Sequence, residues 1–190
     1  MNNKIFALIG PHSAGKSTLL TKLMDMGIAY IPTYTTRNPT PQDMNSRTIN
    51  FISKSGFFKD EWIVKVTYKG EYYGILKRDM LNAVKDHKIS VCMLDINGVK
   101  QVKKFLNQNL ETIFLMVDYV TLVDRMLRKG YNNTDMKYHL EYAENNGEFD
   151  NWKISNHVVK NTGSVEKGLA QILAIMGLSV TAPRSVIDKL

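Results

Sequence analysis

Apolar residues fall along this chain in two alternating rhythms. Ile5-Phe6-Ala7-Leu8-Ile9 is an unbroken run, the pattern of a strand buried on both faces. Leu19, Leu20, Leu23 and Met24 then repeat at the spacing of a buried helical stripe. Gly27 stops that helix, and Ile28–Ile31 reads as a short strand ended by Pro32. Residues 33–48 are polar and hold Pro39 and Pro41, so a loop is predicted there. The next stretch changes character. Ile49–Ile52, Trp62–Thr67 and Tyr72-Tyr73 read as short strands, with a helical turn near Phe57-Phe58.

Regular alternation then returns. A helix is predicted over 77–87, with Met80, Leu81 and Val84 on one face, and a strand over 89–95 that ends in Asp95. A helix carrying Val99, Val102, Phe105 and Leu106 precedes the strand Thr112–Val117. Asp118 is placed to cap a helix with Val123, Met126 and Leu127, which Gly130 ends. Thr134 is placed to cap another, with Met136, Leu140 and Ala143. His157–Val159 is the last predicted strand, and Ser164 caps a final helix with Leu169, Ile172, Leu173 and Met176. The tail after Gly177 is weakly patterned. Strands alternating with helices imply an α/β fold whose mostly parallel sheet is flanked by helices. Ligand belongs at the carboxyl ends of such strands.

The first strand and first helix are joined by Gly10-Pro11-His12-Ser13-Ala14-Gly15-Lys16-Ser17-Thr18, which fits G-x-x-x-x-G-K-[ST]. Strand, glycine loop and helix together make a P-loop, and the fold expected is that of the P-loop NTPases. The glycines let successive N–H groups converge on one anion, and the helix N-terminus adds its dipole. Lys16 is expected on the β- and γ-phosphates of ATP, and the Ser17 hydroxyl on Mg²⁺. Ser13 is compatible with this loop if its backbone avoids a strained φ.

Composition narrows the setting. The 190 residues suit one domain with insertions, and 44% hydrophobic with 23% charged is ordinary for a globular chain. A net charge of +7 favours anionic ligands such as nucleotides. Lys103-Lys104 and Arg128-Lys129 are too short for a nucleic-acid-binding tail, and no nucleic-acid partner is expected. No apolar run is long enough to span a membrane. Cys92, the single cysteine, excludes an internal disulfide and reads as a core residue in a reducing compartment. No metal-ligating cluster of Cys and His is visible. The chain enters its first strand with no signal peptide, and the cytoplasm is the expected location.

Four further segments, in order, carry a resemblance. Thr35-Thr36-Arg37-Asn38-Pro39 is similar to T-T-R-x-P, Tyr72-Tyr73-Gly74 to Y-Y-G, and Leu94-Asp95-Ile96-Asn97-Gly98 to L-D-I-D followed by Gly. Val158-Val159-Lys160-Asn161 is similar to a last strand whose Asn lies near the donor base. With the P-loop, this order resembles the guanylate kinase family of nucleoside monophosphate kinases over residues 4–176. The resemblance implies one domain over 1–190: a core of 1–32, 76–124 and 151–177, a small β-rich acceptor-binding insertion at 33–75, and a helical lid at 125–150. It implies ATP as donor, held by residues 10–18 with Asn161 nearby. Mg²⁺ is expected on Ser17 and Asp95. The acceptor monophosphate is expected on Thr33, Arg37, Tyr73 and Asp95, and Lys16, Arg37 and Arg125 are the catalytic cations. Arg37 offers a planar fork for phosphate, and Tyr73 an O–H. The bland alternatives are a surface cation for Arg37, a core aromatic for Tyr73 and a helix cap for Asp95. Lys129 and His139 stand at two further lid positions where the family keeps arginines.

The departures cluster at the acceptor. Thr40 replaces an Arg, Ile49 a Tyr, Val64 the base-reading Glu, Ile75 a Ser or Thr, and Asn97 a carboxylate. Three readings therefore stand: transfer from ATP to GMP; transfer to a different small phosphorylated acceptor; or a nucleotide-binding module without catalysis. Lys16 and Ser17 argue against the last. The oligomeric state is left open.

Overall fold

In the computed structural model, residues 3–40, 43, 47–106 and 108–178 are described. Two sheets organise them. Strands β1 (Lys4–Ile9), β2 (Ala29–Tyr30), β7 (Ile89–Met93), β8 (Leu110–Met116) and β9 (His157–Lys160) form a parallel sheet in the order β2-β7-β1-β8-β9. The apolar runs explain this placement. β1 lies at the centre, with Ile5 through Ile9 all essentially inaccessible.

Helices α1 (Lys16–Asp25), α3 (Lys77–Asp86), α4 (Ile96–Leu106), α5 (Tyr119–Arg128) and α7 (Val165–Ile175) accompany this sheet. One apolar cluster joins Ile5, Ala7 and Ile9 to Met80, Ala83, Val99 and Val102 of α3 and α4. A second joins Phe6 and Leu8 to Leu19, Leu20 and Leu23 of α1 and to Ile172 and Leu173 of α7. Alternate β1 residues thus feed opposite layers, as strand geometry demands. The switch in strand order at β1 opens a crevice at its carboxyl end, where the glycine loop sits.

The second sheet is built from β3 (Thr33–Thr35), β4 (Ile49–Phe51), β5 (Trp62–Tyr68) and β6 (Glu71–Leu76), in the order β4-β3-β6-β5. Helix α2 (Lys54–Phe57) lies between β4 and β5 in the chain. The loop expected over 33–48 is corrected here, because Thr33–Thr35 pairs in parallel with β4 and antiparallel with β6. Long-range partners override a locally polar, Pro-rich composition. Thr35 is fully buried, and its hydroxyl donates to the Tyr72 carbonyl at 2.9 Å. The strand expected over 28–31 is also shorter, Ala29–Tyr30 alone.

Helix α6 (Asn133–Asn145) and a 3₁₀ segment (Glu148–Ile154) follow α5. Asp118 caps α5 by accepting from Thr121 N, and Ser164 caps α7 by accepting from Lys167 N, both as predicted. The cap of α6 is Asn132, which accepts from Asp135 N, and not Thr134. A side-chain amide two residues earlier starts the helix and satisfies its first orphan donors. The tail beyond residue 178 lies outside the described residues.

Candidate active site

The glycine loop turns from β1 into α1. Its Ser13 adopts φ 63°, so the condition set for a serine at this position is not met and the loop holds it in the left-handed region. Ser13 is buried, and its hydroxyl has no hydrogen-bond partner among the described residues. The N–H groups of His12, Ser13 and Gly15 likewise donate to no carbonyl among them. Orphaned donors and a buried hydroxyl in one loop fit a phosphate ligand, which would satisfy them together.

Gly15 caps α1 at φ 101°. A Cβ there would stand 2.5 Å from Asn161 Nδ2, so both the conformation and the space require glycine. Asn161 explains that crowding. It is 4% exposed, donates its amide to the Ala14 carbonyl at 2.8 Å, and ties its backbone N–H to Met116 O. Arg125 stands on the same side. Its guanidinium donates to Ala14 O at 3.1 Å, Ser13 O at 3.4 Å and Asn161 O at 2.6 Å. Arg125 and Asn161 therefore brace the loop through its carbonyls.

Lys16 donates to the carbonyls of Gly10 and Pro11, the latter at 2.9 Å. Withdrawal from water lowers its ammonium pKa to about 8 against the favourable fields of Glu148 and Asp95. Glu148, from the 3₁₀ segment, was not anticipated in the sequence. Burial raises its carboxyl above the ordinary range, and Lys16 opposes that rise. Among the described residues Ser17 Oγ donates to the Met93 sulfur at 3.6 Å, a weak acceptor that leaves the hydroxyl available.

Asp95 lies between β7 and α4 and accepts from Gly98 N at 2.7 Å. The helix-cap alternative is therefore realised, while its other oxygen has no hydrogen bond among the described residues. No group of three or more His, Cys, Asp and Glu suited to a metal occurs among them. A divalent ion here would rest on Ser17, Asp95 and phosphate oxygens.

The acceptor-side residues come from the second sheet. Arg37 meets Asp43 as a fork on a carboxylate, with Nη1–Oδ2 at 2.7 Å and Nη2–Oδ1 at 3.0 Å. Thr40 donates to the same Oδ2 through its N–H and its hydroxyl, each at 2.6 Å. The hydrogen bond to Arg37 chiefly holds the Asp43 carboxyl at about 2. Tyr73 adds to the interactions that favour the charged guanidinium. Thr33 donates its N–H to the Tyr30 hydroxyl, and its own hydroxyl is buried and without a partner.

A cavity of about 410 Å³ lies between β5, α4 and α6, lined among others by Lys65, Thr67, Asp95, Asn97, Gln101 and Tyr142. Its floor is tight. Gln101 accepts from Lys65 N at 2.9 Å and donates to Lys65 O at 3.2 Å. A Cβ at Gly98 would meet Val64 Cγ1 at 3.1 Å, so β5 and α4 are packed closely at this point. Val64 and Ile75 are buried, at 4% and 1% exposure.

On the far side of the loop, His12 stacks on His139 of α6, with centroids 3.8 Å apart and planes inclined by 6°. His12 Nε2 is 3.0 Å from the Tyr131 hydroxyl, and His139 Nδ1 is 2.6 Å from that of Tyr68. This pair, Asp43 and Gln101 left no local signal in the sequence. The His12–His139 and Gln101–Lys65 contacts join segments far apart in the chain, and Asp43 meets Arg37 across six residues.

The arrangement agrees with comparisons to known proteins. The family model for guanylate kinase matches residues 2–176. The guanylate kinase of Nostoc sp. is 26% identical over 71% of this chain and 71% of its own length. That of Porphyromonas gingivalis is 23% identical over 90% and 98%. In three dimensions, the crystal structure of guanylate kinase from Anaplasma phagocytophilum superposes with a TM-score of 0.70 at 18% identity, covering 93% of this chain and 85% of that one. A glycine loop braced for phosphate at the switch point of a parallel sheet, in a chain matched almost end to end by the family model, places this protein in the guanylate kinase family, and makes it a P-loop nucleotide kinase.

Proposed function

We propose that this chain transfers the γ-phosphoryl group of ATP to a nucleoside monophosphate, with GMP the acceptor. The observation that carries this reading is the pairing of a loop with orphaned phosphate donors and an anion fork. Arg37 and Thr40 converge on one carboxylate, Asp43, in the way they would converge on a phosphate, with Tyr73 beside the guanidinium. Residues 10–18 hold the donor. Lys16 leaves its two carbonyls for the β- and γ-phosphates. Ser17 and Asp95 hold Mg²⁺, which supplies charge neutralisation between the phosphates when bound. Arg125 and Asn161 act from behind, keeping the loop's N–H groups aimed at the donor.

On this reading residues 33–75 bind the acceptor and 125–150 form a lid. Arg37 and Tyr73 hold the acceptor phosphate, Thr33 and the cavity beside Asp95 hold its nucleoside, and Asp43 yields the fork on binding. The acceptor phosphate is itself the nucleophile, so positioning and water exclusion are the protein's main tasks.

A second reading changes only the acceptor. Val64 and Ile75 are sealed into the packing where relatives read a guanine edge, and neither can accept a hydrogen bond. A site lacking those groups loses much of its discrimination for one base. ADP formation from Mg-ATP, measured with GMP, dGMP, AMP, CMP and UMP in parallel, separates the two. Turnover confined to GMP and dGMP supports the first reading, and equal or absent turnover across the panel supports the second.

A further inference from the structure

The lid has little apolar attachment to the rest of the protein. Its own small cluster, Met126, Met136 and Leu140, meets the second core cluster through the half-buried Phe149. What joins α6 to both the glycine loop and the second sheet is a set of stacked, hydrogen-bonded rings. His139, 6% exposed, lies face to face on His12 of the loop. Its Nδ1 is bonded to Tyr68 at the end of β5, while His12 reaches Tyr131 at the start of the α5–α6 connection. Tyr142 of α6 packs edge-on to Tyr68 at 4.8 Å, and Tyr138 flanks His139. Three segments distant in sequence therefore meet at two imidazoles.

We propose that the His12–His139 stack is a clasp that holds the lid helix on the nucleotide loop while both rings are neutral, and releases it when either takes up a proton. The surroundings are already cationic. Lys16 of the loop, Lys129 at the end of α5 and Lys69 of the β5–β6 hairpin all disfavour a charge on His12, and Lys69 does so on His139. Asp135 of α6 is the acid that offsets them, and Lys69 already engages it at 3.2 Å. Glu148 faces Tyr68 and Lys16. Tyr68, Tyr131, Tyr138 and Tyr142 supply neutral hydroxyls. A positive charge on either ring would be repelled by these lysines, and a charge on both rings, 3.8 Å apart, more strongly still. A doubly protonated His139 could only donate at Nδ1, which fixes the direction of its bond with the Tyr68 hydroxyl.

Geometry and titration agree. Burial, the largest cause in each case, depresses His139 to about 4 and His12 to about 2. Released rings would titrate near the ordinary value, so the closed lid is favoured above about pH 6.5 and loses stability as pH falls from there toward 4. The clasp rests on the lid assignment above and not on the acceptor. Its test needs no turnover, so its failure leaves phosphoryl transfer untouched.

The test is hydrogen exchange of the full chain at pH 7.5 and 5.5, corrected for the intrinsic rate, comparing α6 with α7. Wild type should lose about tenfold protection in α6 at the lower pH for one proton taken up, with α7 unchanged. His139→Phe keeps a stackable ring without a proton site and should reduce that pH response to the share of His12. His12→Phe should reduce it to the share of His139 and stands in if the first variant does not fold, and the double variant should remove it. An α6 that is insensitive to pH, a response preserved in the variants, or equal loss in α7 would overturn the clasp.

Discussion

Single side chains decide where charge can sit in this site. Lys16 was legible because the motif fixes both its type and its place. Its depressed ammonium gives a prediction with a definite sign. Above about pH 8 the free protein's Lys16 is neutral, so ATP binding must recharge it, and affinity should fall by up to tenfold per pH unit from there. Below that pH the slope should vanish. Calorimetric ATP affinities between pH 7 and 9.5 read this, and Lys16→Met should be weak and flat. Arg37 was legible too, but its partner was not, because Asp43 reaches it only through the turn of its loop. If the fork holds the acceptor phosphate, Asp43→Asn should lower the acceptor KM several-fold, and Arg37→Ala should raise it by one to two decades, about 1.5–3 kcal/mol for a charge-assisted bond. An unchanged KM in both would place the acceptor elsewhere.

Elements were readable where their signal is local. The apolar runs of β1, β7 and β8 and the caps at Asp118 and Ser164 all state their structure within a few residues. β3 was not readable, since its three residues become a strand only between β4 and β6. The shift of the α6 cap to Asn132 is a competition between two eligible side chains two residues apart, which geometry settles. Asn132→Ala should destabilise α6 by about 1 kcal/mol, seen as faster exchange there. The brace behind the glycine loop is more demanding. Asn161→Ala leaves the buried Ala14 carbonyl without its 2.8 Å bond and should cost about 1–3 kcal/mol, read as a lower Tm. ATP affinity should fall with it, because the loop's N–H groups lose their backing. A variant with wild-type Tm and affinity would show that Arg125 alone suffices.

At the scale of the whole molecule, a parallel sheet carries the glycine loop and a second, mixed sheet packs against α4 through β5. The alternation of strands and helices announced the first sheet. Motif order announced the second, although the closeness of β5 to α4, with Gln101 bonded both ways to Lys65, could not be read from either segment alone. That packing seals an apolar Val64 at the position where the resemblance expects a base-reading Glu. The measurement that reaches the central claim is transfer of a label. The protein would be incubated with Mg²⁺, GMP and ATP carrying a marked γ-phosphoryl group, and the nucleotides separated. The account predicts the label in GDP with stoichiometric ADP, and its loss in Lys16→Ala. Label recovered only in ATP or in free phosphate would contradict transfer to GMP.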